Sequence, residues 1–248
     1  AESVPLVVNL TSHAAHANVT RTCLTADRHV FSEKPLALDA EEAADLVRLA
    51  ADRELALGCA PENHRADAQR HARTLLEEGR LGPVRFVSAS ANVGRVTEWH
   101  DRPESFLKVG PLFDGAVYPL SLLVAWFGPV KRVRRADAPD VWPDDQGDDL
   151  TPQAPPHIEA TLEFVDGPVV ALRASFYVDH RSREFYGVEL HGDDGTLYLD
   201  DTGALAASQD AITVRGGDRD PTVAPHPRPK RERPHLVGPE RLAQTVDR

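Results

Sequence analysis

Methionine is absent from the 248-residue chain, even at position 1, and the chain opens almost directly on a strand-like run. Both features predict that the sequence is not a complete reading frame, or that an N-terminal piece is missing. Cysteine is scarce, because Cys23 and Cys59 are the only two, each within an apolar pattern. This usage predicts reduced, buried thiols in a cytoplasmic protein.

Long apolar runs and basic clusters are also missing. No stretch approaches the roughly 20 apolar residues that a membrane helix needs, and no basic region precedes the first apolar run, so neither a membrane span nor a signal peptide is predicted. The net charge is −11 and the isoelectric point is about 5.4, which argues against nucleic acid or an anionic membrane as the main partner. P-loop, G-x-S-x-G, C-x-x-C and G-x-G-x-x-G patterns do not occur in the sequence.

The first quarter of the chain alternates between strand and helix patterns. Residues 4–10 form a continuous apolar run, typical of a strand buried on both faces of a parallel sheet. A helix is predicted from 14 to 26, a strand at 29–32, a helix from 40 to 53 and a strand at 55–59. The apolar stripe of the second helix is expected to contain Ala43, Leu46, Val47 and Ala50. Residues 1–61 are therefore predicted to be half of a doubly wound parallel sheet, in the α/β class.

The pattern changes from residue 62 onwards. A helix over 64–78, which Gly79 would end, and an apolar helix over 117–127 are predicted. Turn signals at Asp166-Gly167 and Asp194-Gly195 separate consecutive strand patterns. The strands are expected at 84–93, 130–136, 158–165, 168–178, 185–191 and 196–200. Residues 62–248 are thus expected to form an α+β domain on an open, largely antiparallel sheet.

Glu33-Lys34-Pro35 stands between the strand at 29–32 and a helix that Asp39 can cap. In open α/β sheets such a turn lies at the carboxyl ends of the strands, where ligands bind. Lys34 would then be a fixed cation that faces the ligand crevice. The alternative is an ordinary surface ion pair between Glu33 and Lys34.

The segment from Gly110 to Pro119 is a second candidate for chemistry. A glycine turn leads into an apolar helix, and Asp114 and Tyr118 are four residues apart, which places them on one helix face. A carboxylate and a phenol near a lysine could transfer protons. A helix cap and a core tyrosine would explain the same residues structurally.

Two further pairs of residues are candidates for a site. Trp99 and His100, in a predicted loop, could line a substrate pocket, although a packing tryptophan beside a solvent-facing histidine explains them equally well. His13 and His16 lack further ligands at a suitable spacing, so no metal is predicted.

Together these segments resemble the Gfo/Idh/MocA family of glucose–fructose oxidoreductase and inositol dehydrogenase. The matching pieces, over most of residues 5–200, are Thr11-Ser12-His13-Ala14-Ala15-His16, Glu33-Lys34-Pro35, Gly79 to Val84, Gly110 to Pro119 and Gly187 to Leu197. The Glu-Lys-Pro turn followed by the G-x-x-x-D-x-G-x-x-[HY] block is specific in this order. Thr11-Ser12 depart from the common Pro-Asn, and Tyr118 stands where most members carry histidine.

The resemblance implies a Rossmann domain that binds NAD or NADP, here without its G-x-G-x-x-G half, followed by a domain whose open sheet often forms an oligomer interface. The activity implied is that of a dehydrogenase acting on a sugar, polyol or sugar-derived CH–OH group. Lys34 would contact both cofactor and substrate, with Asp114 and Tyr118 beside the reacting carbon. The other implied cofactor contacts are Thr11, Ser12, His16, Glu33 and Pro35, and the Lys34–Pro35 peptide is expected to be cis.

A second hypothesis belongs to another functional class. Without the first strand and the glycine-rich loop, a pyrophosphate has no cradle. The chain could then be an inactive homologue that serves as a sheet-pairing oligomerisation or binding module.

Overall fold

The structure, a computed structural model, describes residues 4–143, 150–178, 186–199, 212–215 and 222–223. They belong to two compact units, and the division falls between Glu62 and Asn63. We call the part up to Glu62 the first unit and the part from Asn63 onwards the second unit.

The first unit is a three-stranded parallel sheet with two crossover helices. Its strands are β1, Leu6–Asn9; β2, His29–Ser32; and β3, Leu57–Cys59, in the order β1-β2-β3. A short 3₁₀ turn, His13–Ala15, leads into α1, His16–Thr25, and α2 spans Ala40–Asp52. Parallel neighbours need such crossovers. The predicted strand–helix–strand–helix–strand order and the partial doubly wound fold are confirmed.

The core of the first unit lies between the helices and the sheet. Leu24 of α1, Val30 of β2 and Leu46 of α2 are fully buried. Two expectations are wrong. Val47 is 55% exposed because it is turned by about 100° from Leu46 around the helix axis. Val8 is 44% exposed because β1 pairs, among the described strands, with β2 alone and lies at the sheet edge.

The start of α2 follows the predicted capping. Asp39 is extended, and its Oδ1 accepts hydrogen bonds from the backbone nitrogens of Glu41 (2.9 Å) and Glu42 (3.0 Å). These bonds satisfy two of the backbone donors that a helix N-terminus leaves open. The cap therefore sets where the chain re-enters a helix after the Glu-Lys-Pro turn.

The second unit is built on one eight-stranded sheet. Its strand order is β11-β10-β9-β8-β4-β7-β6-β5, with β4 and β7 parallel and every other pair antiparallel. This confirms the open, largely antiparallel sheet. The strands are β4, Val84–Asn92; β5, Val130–Asp137; β6, His157–Phe164; β7, Val169–Ser175; β8, Tyr186–Gly192; β9, Thr196–Leu199; β10, Ile212–Arg215; and β11, Thr222–Val223.

Helices cover one face of this sheet. They are α3, Asp67–Glu77; α4, Val96–Trp99; α5, Glu104–Pro111; and, after a π turn at Leu112–Ala116, α6, Val117–Phe127. Leu75, Leu107 and Leu122 from the helices share a core with Val87 and Leu172 from the strands. The outward positions of the central strands, such as Ser88 and Arg173, are exposed, so the opposite face is open.

Turn chemistry in the second unit agrees with the sequence. Gly79 ends α3 at φ 68° and donates from its nitrogen to the Leu76 carbonyl at 3.0 Å. Asp166-Gly167 joins β6 to β7, and Asp194-Gly195 joins β8 to β9. The short α4 and α5 and the strands β10 and β11 were not predicted. α4 spans only four residues, Gly110-Pro111 interrupts the end of α5, and β10 and β11 are short.

Glu104–Phe127 is the one described segment that is long and apolar enough to cross a membrane by length and composition. Half of its most apolar window is buried inside the protein. Gly110 breaks the helical backbone within it at φ 76° and ψ 167°. The segment therefore consists of two core helices and the turn that joins them.

Candidate functional site

The carboxyl edge of the parallel sheet carries the first group of predicted site residues. β1 ends at Asn9, β2 at Ser32 and β3 at Cys59, so the segments that follow them leave the sheet at the same edge. Lys34 lies there, half-buried, and the Lys34–Pro35 peptide is cis, as expected. The Glu33 carboxylate accepts a hydrogen bond from the Lys34 backbone nitrogen at 3.2 Å, so it helps to shape the turn that carries the lysine.

His16 joins two of these segments. Its Nδ1 lies 2.8 Å from the Pro35 carbonyl oxygen and its Nε2 lies 2.9 Å from the Thr11 carbonyl oxygen. Asn9, 2% exposed, donates to the His16 carbonyl at 3.0 Å and accepts from the Thr11 hydroxyl at 2.7 Å. The structure thus brings Thr11, His16 and Pro35 together. Asn9 was missed, although a polar residue at the end of an apolar strand signals such a role.

Thr11 and Ser12 are exposed where the chain leaves β1. Ser12 precedes the 3₁₀ turn in an extended conformation and makes no side-chain capping bond. Both hydroxyl side chains are therefore accessible to a ligand at the carboxyl edge of the sheet. Their part in cofactor binding stays a prediction.

Cys59, the last residue of β3, lies at the same carboxyl edge of the parallel sheet. It is half-buried rather than buried, as is Cys23, and both are free thiols. The Cys59 thiol lies 3.1 Å from the Ala60 carbonyl oxygen. Burial, followed by the nearby charges of Glu33 and Glu62, raises the pKa of Cys59 to about 12. A thiol in this state is neutral at physiological pH and a poor nucleophile.

We expect Cys59 to resist alkylation in the folded protein. Its raised pKa keeps the reactive thiolate scarce until the pH approaches about 12, whereas unfolding restores the ordinary value near 9.0. Iodoacetamide labelling at pH 8, read by peptide mass spectrometry, should modify Cys59 far more slowly in the native protein than in denaturant. Equal rates in the two states would contradict the assigned environment.

Asp114 lies in the second unit, in the π turn ahead of α6. The turn starts after Gly110, where an added Cβ would lie 3.0 Å from the Ala154 Cβ and φ is 76°, so glycine is required. Asp114 is 5% exposed, which is unusual for a carboxylate. The sequence predicted a glycine turn but not the π turn, a distortion of the helical hydrogen-bond ladder that often marks functional sites.

Tyr118 follows as the second residue of α6 and is half-buried. Its carbonyl oxygen accepts a hydrogen bond of 2.8 Å from Nδ2 of Asn63, a side chain that is 3% exposed. This contact joins the segment before α3 to the start of α6 and holds the backbone of Tyr118 in place. Asn63 was missed because a contact between residues 55 positions apart leaves no local pattern.

Trp99 and His100 form an aromatic cluster with Phe106. Trp99 is the last residue of α4 rather than a loop residue, and it is 43% exposed. The ring centroid of Phe106 lies 5.6 Å from that of Trp99 and 4.8 Å from that of His100. His100 Nδ1 accepts from the Arg102 backbone nitrogen at 3.0 Å. The role of Trp99 and His100 in substrate binding stays a prediction.

Comparison with known families gives the same division of the chain. Residues 69–198, just over half of its length, match the GFO/IDH/MocA C-terminal domain. The chain belongs to the GFO/IDH/MocA family. Residues 2–60 match the oxidoreductase family with an NAD-binding Rossmann fold, so the first unit of this GFO/IDH/MocA protein is related to a cofactor-binding domain.

Two curated relatives of similar sequence are oxidoreductases by name. A dTDP-3,4-didehydro-2,6-dideoxy-alpha-D-glucose 3-reductase from Streptomyces violaceoruber is 37% identical over 126 residues, 50% of this chain and 36% of the relative. A trans-1,2-dihydrobenzene-1,2-diol dehydrogenase from Bos taurus is 31% identical over 123 residues, 48% of this chain and 35% of the relative. The chain therefore covers only about a third of these relatives' own length.

Solved structures share the fold at low sequence identity. An inositol dehydrogenase homolog from Azotobacter vinelandii, complexed with NADH and myo-inositol, superposes with a TM-score of 0.74 at 18% identity, covering 94% of this chain and 59% of that one. An aldose-aldose oxidoreductase from Caulobacter crescentus, complexed with glycerol, gives 0.76 at 22% identity, covering 98% and 69%. These likenesses extend over both units of the GFO/IDH/MocA chain.

Proposed function

We propose that this protein is an NAD- or NADP-dependent oxidoreductase that acts on a CH–OH group of a sugar, a polyol or a sugar derivative. The observation that carries the proposal is the buried Asp114 in a π turn just before Tyr118, with Gly110 required at its start. A buried carboxylate is uncommon in proteins, and a proton-transfer site needs acidic and phenolic groups close together. Membership of an oxidoreductase family supports the same reaction class.

The first unit has some of the groups that a dinucleotide needs. Thr11 and Ser12 are exposed and Lys34 is half-buried at the carboxyl edge of the parallel sheet, where α/β proteins bind nucleotides. These residues would hold the nicotinamide end of NAD or NADP. The glycine-rich pattern that cradles a pyrophosphate does not occur in the sequence, so the residues present fit the cofactor in part.

Tyr118, Lys34 and Asp114 have different roles in the proposed reaction. In the proposed reaction, the phenol of Tyr118 gives or takes the substrate hydroxyl proton at its Oη atom. The Lys34 ammonium stabilises the negative charge that develops on the substrate oxygen and on the phenol. Asp114 orients the hydroxyl or the lysine. A bound nicotinamide supplies hydride acceptance or donation.

Tyr118 needs help to act at neutral pH. An unperturbed tyrosine has a pKa of about 10, too high for a base near pH 7. A nearby ammonium favours the phenolate, which is the role proposed for Lys34. Lys34 and Tyr118 are therefore expected to act as one unit rather than as independent contributors.

The activity can be tested on the full-length gene product. Purified protein would be mixed with NAD⁺ or NADP⁺ and a panel of sugars, polyols and nucleotide sugars, and nicotinamide absorbance would be followed. Substrate-dependent reduction of the cofactor supports the proposal. Cofactor binding without turnover on any CH–OH compound, or on the corresponding carbonyl compound with NADH or NADPH, would contradict it.

We expect residues 1–248 by themselves to bind NAD(H) and NADP(H) weakly. The backbone donors of a glycine-rich turn and a helix N-terminus bind the pyrophosphate of a dinucleotide, and that pattern is not in this sequence. Titration calorimetry should detect no binding at micromolar cofactor concentrations. A micromolar dissociation constant would show that another cradle exists in the chain.

We further propose that the open face of the eight-stranded sheet pairs with a second copy of the chain. A groove of about 230 Å³ on this face is lined by the small residues Ser88, Thr161 and Ala171 and by charged residues that include Glu159 and Arg173. Arg173 donates to Glu159 at 3.1 Å. The small side chains let a second sheet approach closely, and the paired charges of Glu159 and Arg173 leave little net charge to repel an identical surface.

Thr161→Arg tests this pairing. A long cation in the middle of the groove should shift the protein to monomers in sedimentation velocity, because it removes close approach and adds charge. Thr74→Arg is the matched control, since Thr74 is exposed on α3 and away from the sheet face. An unaltered protein that is already monomeric, or an equal effect of both variants, would argue against the interface.

The second candidate function is a non-catalytic sheet-pairing module. It is favoured by the open sheet face together with a sequence that contains no glycine-rich dinucleotide loop. If the full-length gene product forms oligomers but shows no cofactor-dependent turnover, that result would support it.

Either function is compatible with the cytoplasm, which we propose as the location because both cysteines are free.

A further inference from the structure

His16 stands between two hydrogen-bond acceptors. Its Nδ1 lies 2.8 Å from the Pro35 carbonyl oxygen and its Nε2 lies 2.9 Å from the Thr11 carbonyl oxygen. A neutral imidazole has one N–H donor and one acceptor nitrogen, and a backbone carbonyl can only accept. In either neutral tautomer, therefore, one nitrogen lone pair would face an oxygen lone pair at hydrogen-bonding distance.

A ring flip does not remove this conflict. Rotating the His16 ring by a half turn about its χ2 bond would put carbon atoms near the two nitrogen positions. The carbonyl oxygens of Thr11 and Pro35 would then lie about 2.8–2.9 Å from carbon, well inside the 3.3–3.6 Å of C–H···O contacts. The doubly protonated ring is the form that satisfies both contacts, because both of its nitrogens donate.

The surroundings isolate this ring from water. His16 is 1% exposed, and within the described part of the chain no carboxylate lies within ion-pair distance of it. Among the described ionisable groups, His13 has its ring centroid 5.9 Å away, and Glu33 and Lys34 immediately precede Pro35 in the chain. Charge-assisted hydrogen bonds to carbonyl oxygens are stronger than neutral ones, so the two carbonyls offset part of the cost of burying the charge.

We propose that His16 is held as a buried imidazolium that ties the Thr11 segment to the turn carrying Lys34. It is a positioning residue, because it acts on Lys34 through the Pro35 carbonyl rather than on a ligand. The positive charge would also favour anionic groups at the carboxyl edge of the sheet. The link to catalysis rests on the proposed function, whereas the protonation state does not.

The protonation of His16 can be read directly. In protein labelled with ¹⁵N-histidine at pH 7, assigned through bonds to the backbone, we expect both His16 ring nitrogens to carry slowly exchanging protons. His29 is the internal control, because its Nδ1 accepts a hydrogen bond of 2.9 Å from the Ala56 backbone nitrogen and must be unprotonated. A His16 ring with one unprotonated nitrogen overturns the proposal.

The positioning role has its own readout. In His16→Gln one amide group cannot reach both carbonyls, so the backbone amide signals of Ser12 and Leu36, which share peptide groups with those carbonyls, should shift. His29→Gln is the matched variant and should move neither signal. Unchanged Ser12 and Leu36 signals in His16→Gln would overturn the role.

Two features keep these tests decisive. If His16→Gln fails to fold, the ring-nitrogen measurement on the unaltered protein still tests the proposal. Two protected ring N–H protons support it, and a single one contradicts it. Neither experiment contains cofactor or substrate. Their failure therefore leaves the proposed oxidoreductase activity standing, and a failed activity assay leaves the protonation result unaffected.

Discussion

Tyr118→Phe should lower the turnover of the full-length gene product by about 10²–10⁴-fold, the usual cost of losing a general acid or base. The change removes only the phenol oxygen. The backbone of Tyr118 stays held by the Asn63 hydrogen bond of 2.8 Å, which involves the main-chain carbonyl. Folding and cofactor affinity should therefore be nearly unchanged. Steady-state kinetics with the best substrate, together with thermal unfolding, would measure both.

Tyr177→Phe is the matched control for this experiment. Tyr177 is 37% exposed and its ring stacks beneath the Arg95 guanidinium at 4.6 Å, a contact that phenylalanine preserves. This variant should keep the parent's turnover. If Tyr118→Phe also stays within about threefold of the parent, far short of the 10²-fold minimum, Tyr118 is a packing residue and the proposed mechanism is wrong.

Lys34→Met should damage both turnover and cofactor binding. The methionine side chain fills similar space but removes the ammonium that we propose to face cofactor and substrate. Loss of one such electrostatic contact typically costs about 10²–10³-fold in turnover. Kinetics and calorimetry on the full-length gene product would separate the two defects. Lys108→Met, at an exposed position on α5, is the control and should change neither.

The double variant Lys34→Met/Tyr118→Phe tests whether the two groups act together. If the ammonium works by favouring the phenolate, removing both should cost little more than removing one, because groups that act as a unit are not additive. Fully multiplicative losses would mean that Lys34 and Tyr118 contribute independently. The assignment of one shared proton-transfer step would then be wrong.

Local sequence determined much of the first unit. Asp39, with Glu42 three residues later, predicted the cap that the structure contains, because capping is a contact between near neighbours. The apolar runs around Val30 and Leu46 likewise predicted a buried strand and an amphipathic helix. The Glu33-to-Pro35 turn was located from its position between them, since a βα turn is a short-range feature.

Turns and strand alternation in the second unit were predictable for the same reason. Gly79 ends its helix with the positive φ that glycine adopts at little cost. Asp166-Gly167 and Asp194-Gly195 stand between strands that pair as neighbours, β6 with β7 and β8 with β9. The parallel pairing of β4 with β7 was not predictable, because more than 70 residues separate the paired positions.

Only the tertiary structure decided how the candidate site is built. The Asn63 bond to Tyr118, the π turn that buries Asp114 and the two carbonyls around His16 all depend on chain segments that meet only after folding. Exposure was decided in the same way, since the edge position of β1 leaves Val8 at 44% exposed. Residue type and spacing determine which elements form, whereas side-chain surroundings depend on long-range packing that no local pattern contains.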